Sequence, residues 1–513
     1  MQSSNNFGDV KVVILAGGEG VRLCPLTLTR PKPMMWLGKD TVIQHLMRLL
    51  SEAGFVNIII TVNYLKEQVM HFLGDGSRYG VRIEYVVEPE GIFLGTAGGL
   101  KLASHKLSDN FIVMQGDSFT NIDIGEALRF HRRLKSDATV VLKEVEDPWN
   151  YGVVECDLEG RITGFQEKPC KGEERSKLIS TGIYCLEPEI LDYISSGESD
   201  FAKNIFPRLL NDGERILGFV GHGFWSDIGS LKGYLEGTRQ VLECPAHQEN
   251  SYEQVGVLSG KNVTINEPVT LMSPVLLEKG AAIGRGSRIG PIAVVKTNSK
   301  IGENCKIENA AIFEDVAIGH SCTIRNSVIG EHAVLADNIV VEDSVVGPGS
   351  FLNEGVRLGK GSRIWPSIVV GPKVTVDGAL TLPTDKPFYF YSDFGEYTGI
   401  IASNISDMAG KLETVELKSI ELHLYHRDFE RWIRDVFQAN NLAAKLSELR
   451  KLGIRGEESR QQLIKVIRDW LEYSTDKDLS RTRQGIQEKA DLNQGTGEPQ
   501  ISDHEEVTLS KAW

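Results

Sequence analysis

Apolar residues follow three rhythms along this chain. From residue 10 to 240, short runs rich in β-branched residues alternate with segments of helical spacing. Val10–Leu15, Asn57–Val62, Arg82–Val87, Phe111–Gln115 and Ala138–Leu142 read as strands. Between them, Thr41–Ala53, Leu65–Phe72, Ala97–Ser104 and Ile124–Lys135 read as helices. Such alternation predicts an α/β domain with a Rossmann-like, mostly parallel sheet covered on both faces. Ligands of such sheets bind beyond the carboxyl ends of the strands.

The second rhythm has a period of six. Ile265, Leu271, Leu277, Ile283, Ile289, Val295, Ile301 and Ile307 stand at equal intervals. The series continues through Ile312, Ile318, Ile324, Ile329, Leu335, Val341, Val346, Leu352, Leu358, Ile364, Val370 and Val376, with steps of five at 307→312, 324→329 and 341→346. A helix turns every 3.6 residues and cannot sustain this period. A triangular β-coil can, with one aliphatic side chain per face pointing inward and small residues at the corners. Each step of five should shorten one coil by one residue. The third rhythm is helical again: Phe429, Trp432, Ile433, Val436 and Phe437; then Leu442, Leu446 and Leu449; then Leu463, Val466, Ile467, Trp470 and Leu471. The expected domains are therefore 1–245 (α/β), 255–378 (left-handed β-helix) and 404–473 (small, all-α), with 474–513 polar, aperiodic and expected to be disordered.

Composition sharpens this layout. The 52 glycines in 513 residues exceed the usual ~7%, and the β-coil accounts for the surplus. A net charge of −14 argues against nucleic-acid binding, which needs clustered Lys and Arg. Seven cysteines without a C-x-x-C pair argue against a disulfide framework or zinc site and fit a reducing cytosol. Met1–Asp9 is polar, unlike a signal peptide, and no run approaches the ~18 apolar residues of a membrane helix. A cytoplasmic protein with no membrane or nucleic-acid partner is expected.

Candidate chemistry begins where the first strand ends. Ala16, Gly17, Gly18 and Gly20 form a turn whose backbone N–H groups could surround phosphate oxygens. The dinucleotide pattern G-x-G-x-x-G fails at Leu23, and the P-loop pattern fails because Asp40 follows Gly38-Lys39. The turn runs instead into Arg22-Leu23-Cys24-Pro25-Leu26-Thr27 and then Pro31-Lys32-Pro33.

This G-G-x-G-x-R-L-x-P-L-T…P-K-P run resembles the signature of the sugar-nucleotide pyrophosphorylases. Further segments resemble that family in order: Leu94-Gly95-Thr96-Ala97-Gly98, Gln115-Gly116-Asp117, Tyr151-Gly152-Val153-Val154, Phe165-Gln166-Glu167-Lys168-Pro169 and Trp225-Ser226-Asp227-Ile228-Gly229. The resemblance covers roughly residues 10–240, and a β-helix is a frequent companion in the family. It implies transfer of a nucleotidyl group from a nucleoside triphosphate to a sugar 1-phosphate, releasing pyrophosphate. The nucleophile is already anionic, so no side-chain base is needed; catalysis reduces to juxtaposing two polyanions and neutralising their charge.

By that resemblance, Asp117 and Asp227 hold Mg²⁺, which usually takes one or two carboxylates plus substrate phosphates. Arg22 and Lys32 grip the triphosphate. Gly95, Thr96, Ala97 and Gly98 join the glycine turn in binding the nucleotide. Gly152, Glu167, Lys168 and Thr181 bind the sugar phosphate. An isolated Asp would read as a turn or cap residue; two of them within these motifs read as metal ligands. Val21 stands where the family usually has Thr or Ser, and Ser180-Thr181 where many members have Asn-Ala.

The expected substrates are GTP and mannose 1-phosphate, with glucose 1-phosphate and UTP or dTTP as the alternative, in a homo-oligomer. A non-catalytic regulatory homologue binding NDP-sugars is the second reading. A coil-based acyltransferase using His320 or His332 is a distant third, since both sit at probable face boundaries. The helical segment, through Leu424–Phe429 and Arg431–Val436, resembles a small domain of unassigned function in carbohydrate-related proteins.

Overall fold

The computed structural model describes residues 7–89, 94–195, 197–244, 256–376, 380–381, 388–393, 396–402, 405–437 and 439–470. The segment 474–513, expected to be disordered, lies outside these. Two compact units result, Met1–Pro383 and Thr384–Trp513.

In the first unit, Arg82–Val87, Asn57–Val62, Lys11–Leu15 and Phe111–Gln115 pair side by side and parallel. Leu178–Leu186 runs antiparallel to Phe111–Gln115, and there the sheet forks. One branch continues through Ala138–Glu144 to Ile216–Val220; the other is the hairpin Gly152–Cys156 and Ile162–Glu167. The apolar runs of the three inner strands are buried on both faces, whereas the edge strand Arg82–Val87 is partly exposed. The helices Val42–Glu52, Lys66–Leu73, Gly95–Ala103 and Ile124–Leu134 fall within about two residues of the sequence expectation. Thr41 and Gln44 cap the first of them reciprocally.

One buried titratable group belongs to this core. The His131 ring bonds Thr139 Oγ1 at 2.9 Å and Glu187 Oε1 at 3.1 Å. Burial pushes its pKa from 6.5 down to about 4, so the ring is neutral near pH 7 and its bond to Glu187 is not an ion pair. The unfolded chain takes up this proton more readily than the folded one. His131 therefore contributes stability above pH 6.5 that is lost as pH falls from 6.5 towards 4. Thermal unfolding between pH 7 and 5 should show a steeper loss for the wild type than for His131→Asn. Equal slopes would mean that another group titrates.

The period-six region is a parallel β-coil. Early coils pair at intervals of 18, as in Ala282↔Lys300. After the first step of five the interval becomes 17, as in Lys300↔Ala317 and Lys306↔Thr323, and it returns to 18 at Val345↔Arg363. The inward aliphatics from Leu277 to Val370 form one buried stack. Asn298, Asn304, Asp315 and Asn338 take positive φ, a conformation that Asn and Asp tolerate better than most residues.

One face of the coil is apolar on its outside as well. Leu258, Leu276, Val294, Ala311, Val328 and Val345 pack against Leu23, Leu26, Met35, Phe119, Ile228, Tyr234 and Leu235 of the α/β domain. Two domains separable in sequence are thus one compact body.

The second unit holds the helices Ile405–Leu412, Leu417–Tyr425, Asp428–Phe437 and Asn440–Lys451, and a further one over 456–470. The stripe residues Phe429, Ile433, Leu442, Leu446, Leu463 and Ile467 are buried in its core; Leu471 lies outside the described residues. An antiparallel hairpin, Phe388–Asp393 with Glu396–Ala402, adds Phe388 and Phe390 to that core. Helical periodicity could not reveal it, because its strands alternate with period two.

Candidate active site

The site lies at the carboxyl ends of the central strands. Lys11–Leu15 feeds the glycine turn, and Phe111–Gln115 leads to Asp117. A short antiparallel ribbon then brings the second aspartate in: Asp227 pairs with Ser118, the residue after Asp117. This pairing explains how carboxylates 110 positions apart in sequence become neighbours.

The Lys32 ammonium bonds Asp117 Oδ2 and lies 3.3 Å from Asp227 Oδ1. Arg22 Nη2 reaches Asp227 Oδ2 at 3.3 Å. Lys32 is buried, whereas the Arg22 side chain is 60% exposed and free to turn towards a ligand. Burial alone would lower the Lys32 pKa, but Asp117 and Asp227 hold it above its ordinary value. Burial likewise works against ionised Asp227, yet Lys32 and Arg22 outweigh it and depress its pKa. Both shifts favour the charged form, so Lys32 and Asp227 face each other as an ion pair.

Two carboxylates sharing one ammonium are close enough together to share a divalent cation. No group of three metal-ligating side chains occurs among the described residues. An ion completed by substrate phosphates needs only one or two carboxylates, so Asp117 and Asp227 fit Mg²⁺.

The glycine turn is open at its third residue and tightly bent at its fifth. A Cβ at Gly18 would meet nothing within 4 Å. Gly20 has φ +67° and lies against the Lys32 stem. Ala16 is buried and its N–H bonds Thr61 O at 3.0 Å. The side chain of Val21 lies outside the described residues. Gly95, Thr96, Ala97 and Gly98 form the first turn of a helix packed on Ser199 and Asp200. The Ala97 and Gly98 N–H groups bond Ser199 O, and Thr96 Oγ1 donates to Asp200 Oδ2 at 2.9 Å. A Cβ at Gly95 would lie 2.4 Å from Ser199 O, so the close approach itself demands glycine.

The sugar-site residues divide. Gly152 and Glu167 are register partners, and a Cβ at Gly152 would sit 3.2 Å from Glu167 Oε2. Lys168 follows with φ +45°, uncommon for a non-glycine residue, and its ammonium is 3.7 Å from Glu167 Oε1. Its side chain is 55% exposed and available. Thr181 is buried: its hydroxyl donates to Val141 O at 2.7 Å and its carbonyl accepts from Trp225 Nε1 at 3.0 Å. That side chain is committed to the sheet. Tyr151 meets Trp225 edge to face at 5.5 Å, joining the sugar-site hairpin to the strand of Asp227.

Two residues at the site have no role in the sequence reading. Glu88 is buried, with burial raising its pKa; a Cβ at Gly17 would lie 2.7 Å from its Oε1, and one at Gly99 2.9 Å. Gly229 donates its N–H to Asp227 Oδ1 at 2.8 Å and abuts all three charged heads. Nothing in the sequence around Glu88 marks it, because Gly17 and Gly99 meet it only in the fold; Gly229 closes the Trp225–Gly229 motif, which by itself gives it no role. His332, one of the candidate acyltransferase bases, is 68% exposed.

Residues 11–243 match a family model described as nucleotidyl transferase, and residues 254–364 one described as the EIF2B subunit epsilon LbH domain. A UTP–glucose-1-phosphate uridylyltransferase of Synechocystis sp. is 38% identical over 273 residues, covering 50% of this chain and 70% of that protein. A probable mannose-1-phosphate guanylyltransferase of Oryza sativa subsp. japonica is 37% identical over 240 residues, covering 46% and 65%. A mannose-1-phosphate guanylyltransferase of Mycobacterium tuberculosis is 35% identical over 253 residues, covering 48% and 69%.

Proposed function

The chain belongs to the sugar-1-phosphate nucleotidyltransferases, and from that premise we propose that it converts GTP and mannose 1-phosphate to GDP-mannose and pyrophosphate. The observation that carries the reading is the convergence of Arg22, Lys32, Asp117 and Asp227 at the strand ends beside an open glycine turn. This is the charge arrangement that phosphate-on-phosphate chemistry needs.

A phosphate oxygen of the sugar 1-phosphate attacks the α-phosphorus. The bond from that phosphorus to the bridging oxygen breaks, and pyrophosphate departs with the electron pair. Arg22 and Lys32 meet the charge that accumulates on the leaving group. Lys168 neutralises the incoming sugar phosphate, and Glu167 accepts from a sugar hydroxyl. Asp117 and Asp227 would hold Mg²⁺, which would supply further neutralisation of the triphosphate.

GTP and mannose 1-phosphate are favoured as the pair because two of the relatives named above carry the name mannose-1-phosphate guanylyltransferase.

The test is pyrophosphate release by the purified full chain with Mg²⁺, GTP, UTP, dTTP or ATP, and mannose 1-phosphate or glucose 1-phosphate. GTP with mannose 1-phosphate should give the highest kcat/KM. A preference for UTP or dTTP with glucose 1-phosphate would replace that substrate pair. Absence of turnover with every pair, at intact fold, would overturn the enzymatic reading in favour of a binding-only homologue.

A further inference from the structure

The segment between Arg22 and Gly38 carries both triphosphate-gripping cations, yet much of what holds it comes from the β-coil. Arg363, on a late coil, bonds the carbonyl of Cys24, two residues beyond Arg22. Leu28 packs on the coil's aliphatic stack. Arg30 Nη2 lies 3.5 Å from Glu331 Oε1, and its guanidinium stacks over Phe313 at 5.9 Å. Lys296, 2% exposed and paired with Glu278, bonds the carbonyl of Gly38 at 3.2 Å and covers the Trp36 ring at 3.8 Å. Lys32 is thus bracketed between two anchored points, Arg30 on one side and Trp36–Gly38 on the other.

The anchoring continues into the glycine turn. Cys24 Sγ is 3.4 Å from Thr27 Oγ1, and Thr27 Oγ1 donates to Gly20 O at 3.0 Å. A chain of contacts therefore runs from Arg363 through Cys24 and Thr27 to the turn. Arg363 has no carboxylate partner within ion-pair distance among the described residues, so its charge is spent on a backbone carbonyl. A half-buried guanidinium committed in this way fixes the path of the loop it holds. Nothing about packing two domains requires it at that point, because the apolar outer face of the coil already supplies the burial.

We propose that the β-helix is a positioning element of the transfer reaction, with Arg363 and Glu331 as positioning residues for the segment that presents Arg22 and Lys32. The inference rests on the transferase reading of the site. It assigns the coil a task within the α/β domain's own chemistry: without it, the loop would order on binding triphosphate and weaken binding accordingly.

The test uses the full chain as wild type, Arg363→Ala, Arg363→Lys and Glu331→Gln. Equilibrium binding of Mg²⁺–GTP, the KM values of both substrates, kcat and the thermal unfolding profile are measured. Arg363→Ala should weaken GTP binding and raise its KM about tenfold, as expected for loss of a charge-assisted hydrogen bond. The sugar 1-phosphate KM should stay within about twofold, because Glu167 and Lys168 lie on a different hairpin. Arg363→Lys should recover most of the loss. If Arg363→Ala does not fold, Glu331→Gln, which spares the bond to Cys24, should still raise the GTP KM a few-fold. Unchanged GTP affinity at intact fold, or equal rises in both KM values, would overturn the proposal. A wild type that binds GTP without turnover would refute the transferase reading alone, and the binding measurements would still decide the role of Arg363.

Discussion

Asp227→Asn should lower pyrophosphate release by about a thousandfold while leaving the unfolding profile nearly unchanged, on the scale seen when one preorganised electrostatic group is removed from a reacting phosphate or oxyanion site. The substitution is nearly isosteric. Asn keeps an oxygen that can accept the Gly229 N–H, so the local turn survives. It removes the negative charge that faces Lys32 and Arg22, and with it one of the two carboxylates suited to Mg²⁺. Lys32 would remain paired with Asp117 alone. Because Lys32 and Arg22 hold the Asp227 pKa below its ordinary value, the group is fully ionised at neutral pH, and the whole effect belongs to a charge that is present rather than to a shifted equilibrium. The effect should fall on kcat more than on KM, since the aspartates matter most as charge redistributes in the transition state. Turnover within tenfold of wild type, by the same release assay, would remove Asp227 from the catalytic set.

How much of this was legible depended on whether a feature is local in sequence. The β-coil was, because each face repeats its own inward aliphatic and the steps of five foretold where the pairing interval drops from 18 to 17. The sheet was, because buried parallel strands are nearly continuous apolar runs. Arg22, Lys32, Asp117 and Asp227 were named because their motifs are short, and the Ser118–Asp227 ribbon explains their convergence.

Other features depend on what comes from elsewhere in the chain. Thr181 was assigned to the sugar on its neighbours, whereas its partner, Val141 O, sits on another strand. Ala97 and Gly98 are expected at the nucleotide from their motif alone, which carries no sign that their N–H groups bond Ser199 O, about a hundred positions on. The junction of coil and α/β domain did leave a trace. Leu276, Val294, Ala311, Val328 and Val345 each immediately precede an inward aliphatic, so one face in three is apolar on both sides. That doubling is the mark of a coil wall with something packed on it. Arg363, which reaches back over 339 positions to Cys24, left none.

Gly229→Ala should damage the chemistry far more than the fold, with kcat/KM down about a hundredfold. A methyl there would lie 2.8 Å from Arg22 Nη2, from Asp227 Oδ1 and from Lys32 Nζ at once. Real side chains do not tolerate that distance, so something must move. What moves is the end of each long, flexible side chain rather than backbone, and the cost in stability should be small. Gly229 is not held at positive φ, so alanine brings no backbone strain of its own. The cost to chemistry is different in kind. Arg22, Lys32 and Asp227 act only while their charged atoms stay within hydrogen-bond reach of one another and of the phosphates, and a displacement of roughly 1 Å is worth about a hundredfold in rate. The three heads cannot all retreat from one methyl without opening the gap between them. Gly229→Ala should therefore separate the two properties: an unfolding profile close to wild type, and pyrophosphate release and GTP affinity both reduced. Wild-type kcat/KM in Gly229→Ala would mean that the three charged groups rearrange when substrates bind, and that their close contact belongs to the ligand-free state alone.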